Sequence, residues 1–116
     1  MSNSIDWPEF LKTLNKRGAK LREGNPEVMK AFHGLGLASS KEGALDPKTK
    51  ELICLAIGIT ARCSGCLAYH AKAAAKYGAT RDEVLEMIGV AIYMGGGPST
   101  IYGGEALDAF DSLSAD

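Results

Sequence analysis

Apolar residues recur at intervals of three and four along most of this chain, which is the period of an α-helix. The first such segment runs from Trp7 to Arg22, and its apolar side chains near one face are Phe10, Leu11, Leu14 and Leu21. We find no run of alternating polar and apolar residues that indicates a strand. The pattern therefore predicts an all-α fold with about six helices.

Proline and glycine mark where these helices begin and end. Asn25-Pro26 and Asp46-Pro47 each place a capping residue before a proline, as is typical of a helix start. Gly78 is expected to end a helix in the left-handed conformation, and Thr80 with Glu83 has the spacing of a capping box. The predicted helices cover residues 7–22, 26–38, 47–61, 66–77, 81–94 and 98–113. The run 51–61 is apolar on nearly every side and is expected at the centre of the core.

Length and charge narrow the class of protein. A chain of 116 residues has room for one hydrophobic core, so we expect a single domain over residues 1–116. Its net charge of −1 gives no field that attracts nucleic acid or an anionic membrane. The polar start, Met1 to Trp7, does not resemble a secretory signal, and three cysteines fit a disulfide-stapled secreted scaffold poorly. We therefore expect a cytoplasmic protein whose thiols are reactive, metal-binding or buried.

Four residues form the candidate chemistry: Glu51, Cys63, Cys66 and His70. Cys63 and Cys66 form a Cys-x-x-Cys pair near a predicted helix start, where the helix dipole favours a thiolate. His70 follows Cys66 by four residues, so its imidazole can lie beside that sulfur. A thiolate, a nearby base and solvent access are what thiol redox chemistry requires.

Glu51 is the charged exception in an apolar helix, and burying it is costly without a partner. It shares a stripe with Cys54, Gly58 and Arg62, and Gly58 allows another helix to approach closely. We hypothesise that Glu51 acts on His70, orienting the imidazole and making it a better base. Because the two positions are offset by ~4–5 Å along the helices, a simple hairpin does not guarantee contact between them, and a bridging water could link the two side chains.

Other interpretations of these residues stay open. Cys63, Cys66 and His70 could hold zinc with Glu51 or a residue of a partner chain as a fourth ligand, although the second ligand pair usual in structural zinc sites is absent. The cysteines could also be core residues of a structural oligomer, or incidental to an enzyme that acts on a lactone or small organic acid. Cys54 is expected to be a core residue rather than a third redox partner.

The spaced set Glu51, Cys63, Cys66 and His70 resembles the active-site signature of alkylhydroperoxidase D-like proteins, within the carboxymuconolactone decarboxylase family. The resemblance extends over about residues 45–110 and includes Met94 to Pro98 and Glu105 to Leu107. It implies an all-helical fold, assembly as a homotrimer or homohexamer, and reduction of hydroperoxides without a cofactor or metal. A dithiol or thioredoxin-like protein would then restore the thiols.

The resemblance also implies a role for each residue. Glu51 and His70 would help to deprotonate Cys66, which would attack the peroxide, and Cys63 would resolve the product as a disulfide. Attack by Cys63 remains an alternative, since the first cysteine of such a pair is often the more exposed. The chain departs from the best-studied branch in having Gly65 where that branch has a second histidine, and in its single short helical unit.

Overall fold

The computed structural model describes residues 4–115, and these residues form six α-helices and no strand. Residues 1–3, which begin the polar segment considered above as a secretory signal, lie outside the described residues. The helices are α1 Trp7–Gly24, α2 Pro26–Ser39, α3 Pro47–Thr60, α4 Ser64–Lys76, α5 Arg81–Gly95 and α6 Gly97–Leu113. The predicted all-α fold with six helices is confirmed.

The helices α3, α4, α5 and α6 enclose the core. Helix α3 packs against α4, α5 and α6, and α4 makes its most extensive contacts with α6 and α3. The buried core residues come mainly from these four helices and from the start of α1: Trp7, Leu11, Leu55, Ile59, Leu67, Ala68, Ala71, Val84, Ile88, Ala106 and Phe110. Small alanines in α4 and α6 let these two helices lie close together.

Local capping explains most helix boundaries. The Asp46 carboxylate accepts the Thr49 N–H at the start of α3, as its position before Pro47 predicted. The capping box at Thr80 and Glu83 is complete, with both reciprocal hydrogen bonds formed. Gly78 has φ of 87° and ends α4 in the left-handed conformation.

Asn25 was wrongly predicted as a side-chain cap. Its side chain makes no capping hydrogen bond to α2. Its backbone N–H instead donates to the Leu21 carbonyl and completes the end of α1. The residue therefore ends one helix and precedes the next, which leaves little spacing between α1 and α2.

Helix α3 is less enclosed than its apolar sequence predicted. Leu55, Gly58 and Ile59 are buried, but Ile53 and Ile57 on the other side are exposed. Helix α2 is exposed along nearly its whole length, contains no buried residue, and packs only against α1 among the described elements. Both α3 and α2 therefore leave apolar side chains exposed to solvent.

The turn between α3 and α4 is a Schellman motif with an unusual residue at its centre. The Cys63 N–H donates to the Gly58 carbonyl and the Arg62 N–H donates to the Ile59 carbonyl. Arg62 has φ of 57°, a conformation that costs about 1–2 kcal/mol in a residue with a Cβ. This strained residue directly precedes the first cysteine of the pair.

Candidate functional site

Cys63 and Cys66 lie at the start of α4 and are joined by a disulfide. Their Cα atoms are 5.2 Å apart, within the range that a disulfide spans. Both residues are partly buried, so the pair lies at the edge of the hydrophobic core and remains partly accessible to solvent. The proximity of the two sulfurs that the Cys-x-x-Cys spacing predicted is therefore present in the structure.

Helix α4 begins two residues earlier than predicted, because Cys63 is its N-cap. The Cys63 sulfur accepts the backbone N–H of Cys66 at 3.1 Å. A sulfur at this position faces the free N–H groups and the positive end of the helix dipole, which stabilise a thiolate when the disulfide is reduced. Cys63 therefore belongs both to the turn that ends α3 and to the cap that begins α4.

Gly58 allows α3 to approach α4 at the disulfide. A Cβ atom at this position would lie 3.2 Å from the Cys66 Cβ and 3.3 Å from Leu67 Cδ2. These contacts are tighter than most carbon contacts in proteins, so a larger residue would push the two helices apart. The predicted close approach at Gly58 is confirmed, and α4 is the partner helix, as expected.

Glu51 and His70 meet across this helix pair. The His70 Nδ1–H donates to Glu51 Oε1 at 2.6 Å, a short and charge-assisted type of contact. The Glu51 side chain is 15% exposed and the His70 side chain 35% exposed. The predicted partnership is thus present, but as a direct contact: the bridging water is not needed, because the two long side chains span the offset between their helices.

This contact assigns the two nitrogens of His70 to different tasks. An ionised carboxylate only accepts hydrogen bonds, so the proton of a neutral imidazole lies on Nδ1. Nε2 is then the nitrogen that can take up or release a proton. His70 lies one turn beyond Cys66 along α4 and lines a cavity of about 500 Å³ next to α2. The imidazole is therefore accessible from the side of that cavity.

Cys54 is the third thiol of the site. It lies one turn after Glu51 on α3, and its sulfur and the nearest donor atoms of Glu51 and His70 all lie within 4.8 Å of one another. Burial raises the pKa of the Cys54 thiol, and the charge of Glu51 raises the pKa further. Cys54 is only partly buried and adjoins the candidate site, rather than lying in the buried core as the sequence predicted.

Two further side chains hold the cysteine turn in place. The Ser64 hydroxyl, next to Cys63, donates to Glu105 of α6 at 2.8 Å. The Tyr69 hydroxyl, next to His70, donates to Asn15 of α1 at 2.7 Å. No spacing along the chain predicts either contact, because both join residues that are distant in sequence. The only hint for Cys54 was its position three residues after Glu51.

Comparison with known proteins identifies the family. The model of the carboxymuconolactone decarboxylase family matches residues 26–109, which includes α2 as well as the cysteine pair. This chain belongs to the carboxymuconolactone decarboxylase family. A protein of uncharacterised function from Cupriavidus necator is 35% identical over 112 residues, covering 97% of this chain and 99% of the relative. An uncharacterised protein of the cox locus of Paracoccus denitrificans is 35% identical over 83 residues, covering 72% and 75% of the two chains.

Two solved structures of this family share the fold. An apo family protein from Legionella pneumophila superposes with a TM-score of 0.91 at 45% identity, over 96% of this chain and 99% of that chain. A family protein from Thermotoga maritima, with a suggested involvement in the antioxidative response, superposes with a TM-score of 0.77 at 29% identity. That match covers 96% of this chain and 92% of the Thermotoga chain. Among the described residues of this family member, no helix is long and apolar enough to cross a bilayer.

The raised pKa of Cys54 gives a direct test of this geometry. In the disulfide form Cys54 is the single free thiol of the chain, so alkylation by iodoacetamide reports on it alone. Glu51→Gln removes the carboxylate charge and lowers the pKa of Cys54 towards, but not to, its ordinary value, because burial is the larger cause. Below that pKa we expect alkylation to accelerate by up to about tenfold.

The matched control is Glu86→Gln, which removes an exposed glutamate of α5. Its pH profile of alkylation should coincide with that of the unaltered chain. If Glu51→Gln does not change the pH profile of Cys54 alkylation, this carboxylate does not lie beside the Cys54 sulfur.

Proposed function

We propose that this protein is a thiol-dependent peroxidase that reduces organic hydroperoxides through a Cys63–Cys66 dithiol–disulfide cycle. The observation that carries the proposal is the pairing of a disulfide at a helix start with a carboxylate–imidazole pair one turn further along. The first supplies a reversible two-electron acceptor, and the second supplies a proton relay. The antioxidative involvement suggested for the Thermotoga relative supports the same class of activity.

In the proposed first step, His70 takes the proton of the Cys66 thiol at Nε2, directly or through water, while Glu51 holds the imidazole through Nδ1. The Cys66 thiolate attacks the terminal oxygen of the hydroperoxide, and the O–O bond breaks. The leaving alkoxide takes the proton back from the imidazolium and departs as an alcohol. Cys66 is thereby oxidised to a sulfenic acid.

In the second step the Cys63 sulfur attacks the sulfur of the sulfenic acid, and a water molecule leaves. A Cys63–Cys66 disulfide forms, as the structure contains it. An external dithiol or thioredoxin-like protein then reduces the disulfide and is itself oxidised. Cys63 suits the resolving role because its sulfur already lies at the N-cap within reach of Cys66.

The proposal predicts separate effects for the two kinds of site residue. Cys66→Ser should abolish dithiol-dependent turnover of an organic hydroperoxide. Cys63→Ser should stop the cycle after one turnover, because the sulfenic acid at Cys66 then has no resolving thiol and can be labelled with dimedone. Glu51→Gln should lower kcat/KM by about 10²-fold, the usual contribution of a proton relay. Hydroperoxide consumption and mass spectrometry of the labelled protein measure these effects.

Cys54→Ser serves as the control, because this thiol takes no part in the proposed cycle. It should retain turnover and still form the disulfide. The opposite labelling would show that Cys63 attacks and Cys66 resolves. In that case dimedone labels Cys63 in the Cys66→Ser variant and does not label Cys66 in the Cys63→Ser variant. Undiminished turnover after replacement of both cysteines would contradict the peroxidase proposal and favour a lactone or organic-acid enzyme.

We further propose that the protein assembles as a homotrimer or homohexamer. Val28, Phe32 and Leu35 lie on one face of α2 and are 58%, 69% and 63% exposed. A second apolar surface includes Val90, Tyr93, Met94 and Ile101 of α5 and α6, each at least 62% exposed. Soluble monomers rarely expose contiguous apolar surfaces of this kind, and burial against further copies of the chain would remove them from water.

Light scattering tests the assembly. We expect the unaltered chain to have the mass of three or six copies, and Phe32→Glu to shift the mass towards 12.2 kDa, because a charge in an apolar interface is costly. The control Lys30→Glu places the same side chain on the opposite side of α2 and should leave the mass unchanged. A 12.2 kDa monomer for the unaltered chain at micromolar concentration would contradict the assembly.

A further inference from the structure

The side chains of Glu51, Cys54 and His70 offer an oxygen, a sulfur and a nitrogen at one point between α3 and α4. Their donor atoms all lie within 4.8 Å of one another, and all three residues are partly buried. This cluster differs from the zinc set considered from the sequence, which used Cys63 and Cys66. Here the thiol comes from α3, and the cysteine pair is free to be a disulfide.

We propose that Glu51, Cys54 and His70 form a binding site for a divalent transition-metal ion, with Zn²⁺ as the preferred ion. Zn²⁺ binds thiolate sulfur, imidazole nitrogen and carboxylate oxygen at about 2.0–2.3 Å in a tetrahedron. Ligand atoms of such a tetrahedron lie ~3.3–3.7 Å apart. Side-chain rotations of about an ångström therefore bring the three donors from their present positions to ligand positions.

The surroundings favour an ion with an open coordination position. Glu51 and Cys54 are one turn apart on the same face of α3, so a rigid helix presents both donors together. His70 faces them from α4 and also lines the cavity of about 500 Å³ beside α2. Three protein ligands with a fourth position open to solvent is the arrangement of zinc sites that exchange ligands.

Metal binding would exclude the proposed proton relay. Coordination releases the Cys54 thiol proton to solvent and takes Glu51 and His70 away from their mutual hydrogen bond. The metal-loaded protein should then react slowly with hydroperoxides, a consequence that rests on the proposed function. The binding itself does not, because Cys54 and the cysteine pair are on different helices and can be studied separately.

The disulfide form of the protein isolates the site. With Cys63 and Cys66 oxidised, Cys54 is the single thiol of the chain, so a thiolate-to-metal absorption band identifies it as a ligand. We expect Co²⁺, used as a spectroscopic probe, to bind one ion per chain with such a band, and Zn²⁺ to displace it. Cys54→Ser should abolish the band, and His70→Ala should weaken the affinity at least about tenfold.

The matched control is Glu86→Gln, which removes an exposed carboxylate of α5 away from this cavity and should leave the titration unchanged. A Cys63→Ser/Cys66→Ser double variant, which also has Cys54 as its single thiol, should reproduce the band without a disulfide. Absence of saturable Co²⁺ and Zn²⁺ binding, binding without the thiolate band, or a band that persists in Cys54→Ser would each overturn the proposal. None of these results depends on peroxidase activity. That activity is measured separately, in the reduced and metal-free protein, so a failure of the proposed function can be distinguished from a failure of metal binding.

Discussion

The close approach of α3 and α4 at Gly58 is the constraint on which the candidate site depends. Without a side chain at this position, the Cys66 region of α4 packs directly onto α3. The approach places Glu51 on one helix within hydrogen-bond distance of His70 on the other. It also leaves Cys54, one turn before Gly58 on α3, beside the same pair. A wider spacing between the two helices would separate all three groups.

The turn between these helices determines where the redox pair lies. Arg62 is held in a left-handed conformation that residues other than glycine seldom adopt, and the hydrogen bonds of the Schellman motif compensate for its strain. The next residue, Cys63, caps α4 with its sulfur. One short segment therefore ends α3, begins α4 and positions the disulfide, so the site lies on rigid elements rather than on a long loop.

Much of the fold could be predicted from local sequence signals. Asp46, Gly78 and the Thr80–Glu83 capping box act within a few residues along the chain, and the structure confirms each of them. The capping role of Asn25 was wrong because its backbone completes α1 while its side chain leaves α2 uncapped. The earlier start of α4 was missed because cysteine is an uncommon N-cap and sulfur a weak acceptor.

The residues of the candidate site could be predicted from the sequence, but the distances between their side chains could not. Glu51 and His70 were paired from helix periodicity, whereas their direct contact depends on the turn geometry at Arg62, which no spacing rule gives. The exposed apolar face of α2 was not apparent either, since periodicity shows an apolar stripe but not whether the same chain covers it.

If Cys63 and Cys66 are a two-electron redox pair, a single-turnover reaction with a hydroperoxide oxidises both sulfurs and no other. Fully reduced protein is mixed with one equivalent of an organic hydroperoxide, and intact mass and disulfide mapping follow. We expect one alcohol formed per chain, loss of two hydrogen atoms from the protein, a Cys63–Cys66 disulfide and an unmodified Cys54. Unreacted hydroperoxide, or oxidation confined to Cys54 with the other two thiols still reduced, would contradict this role of the cysteine pair.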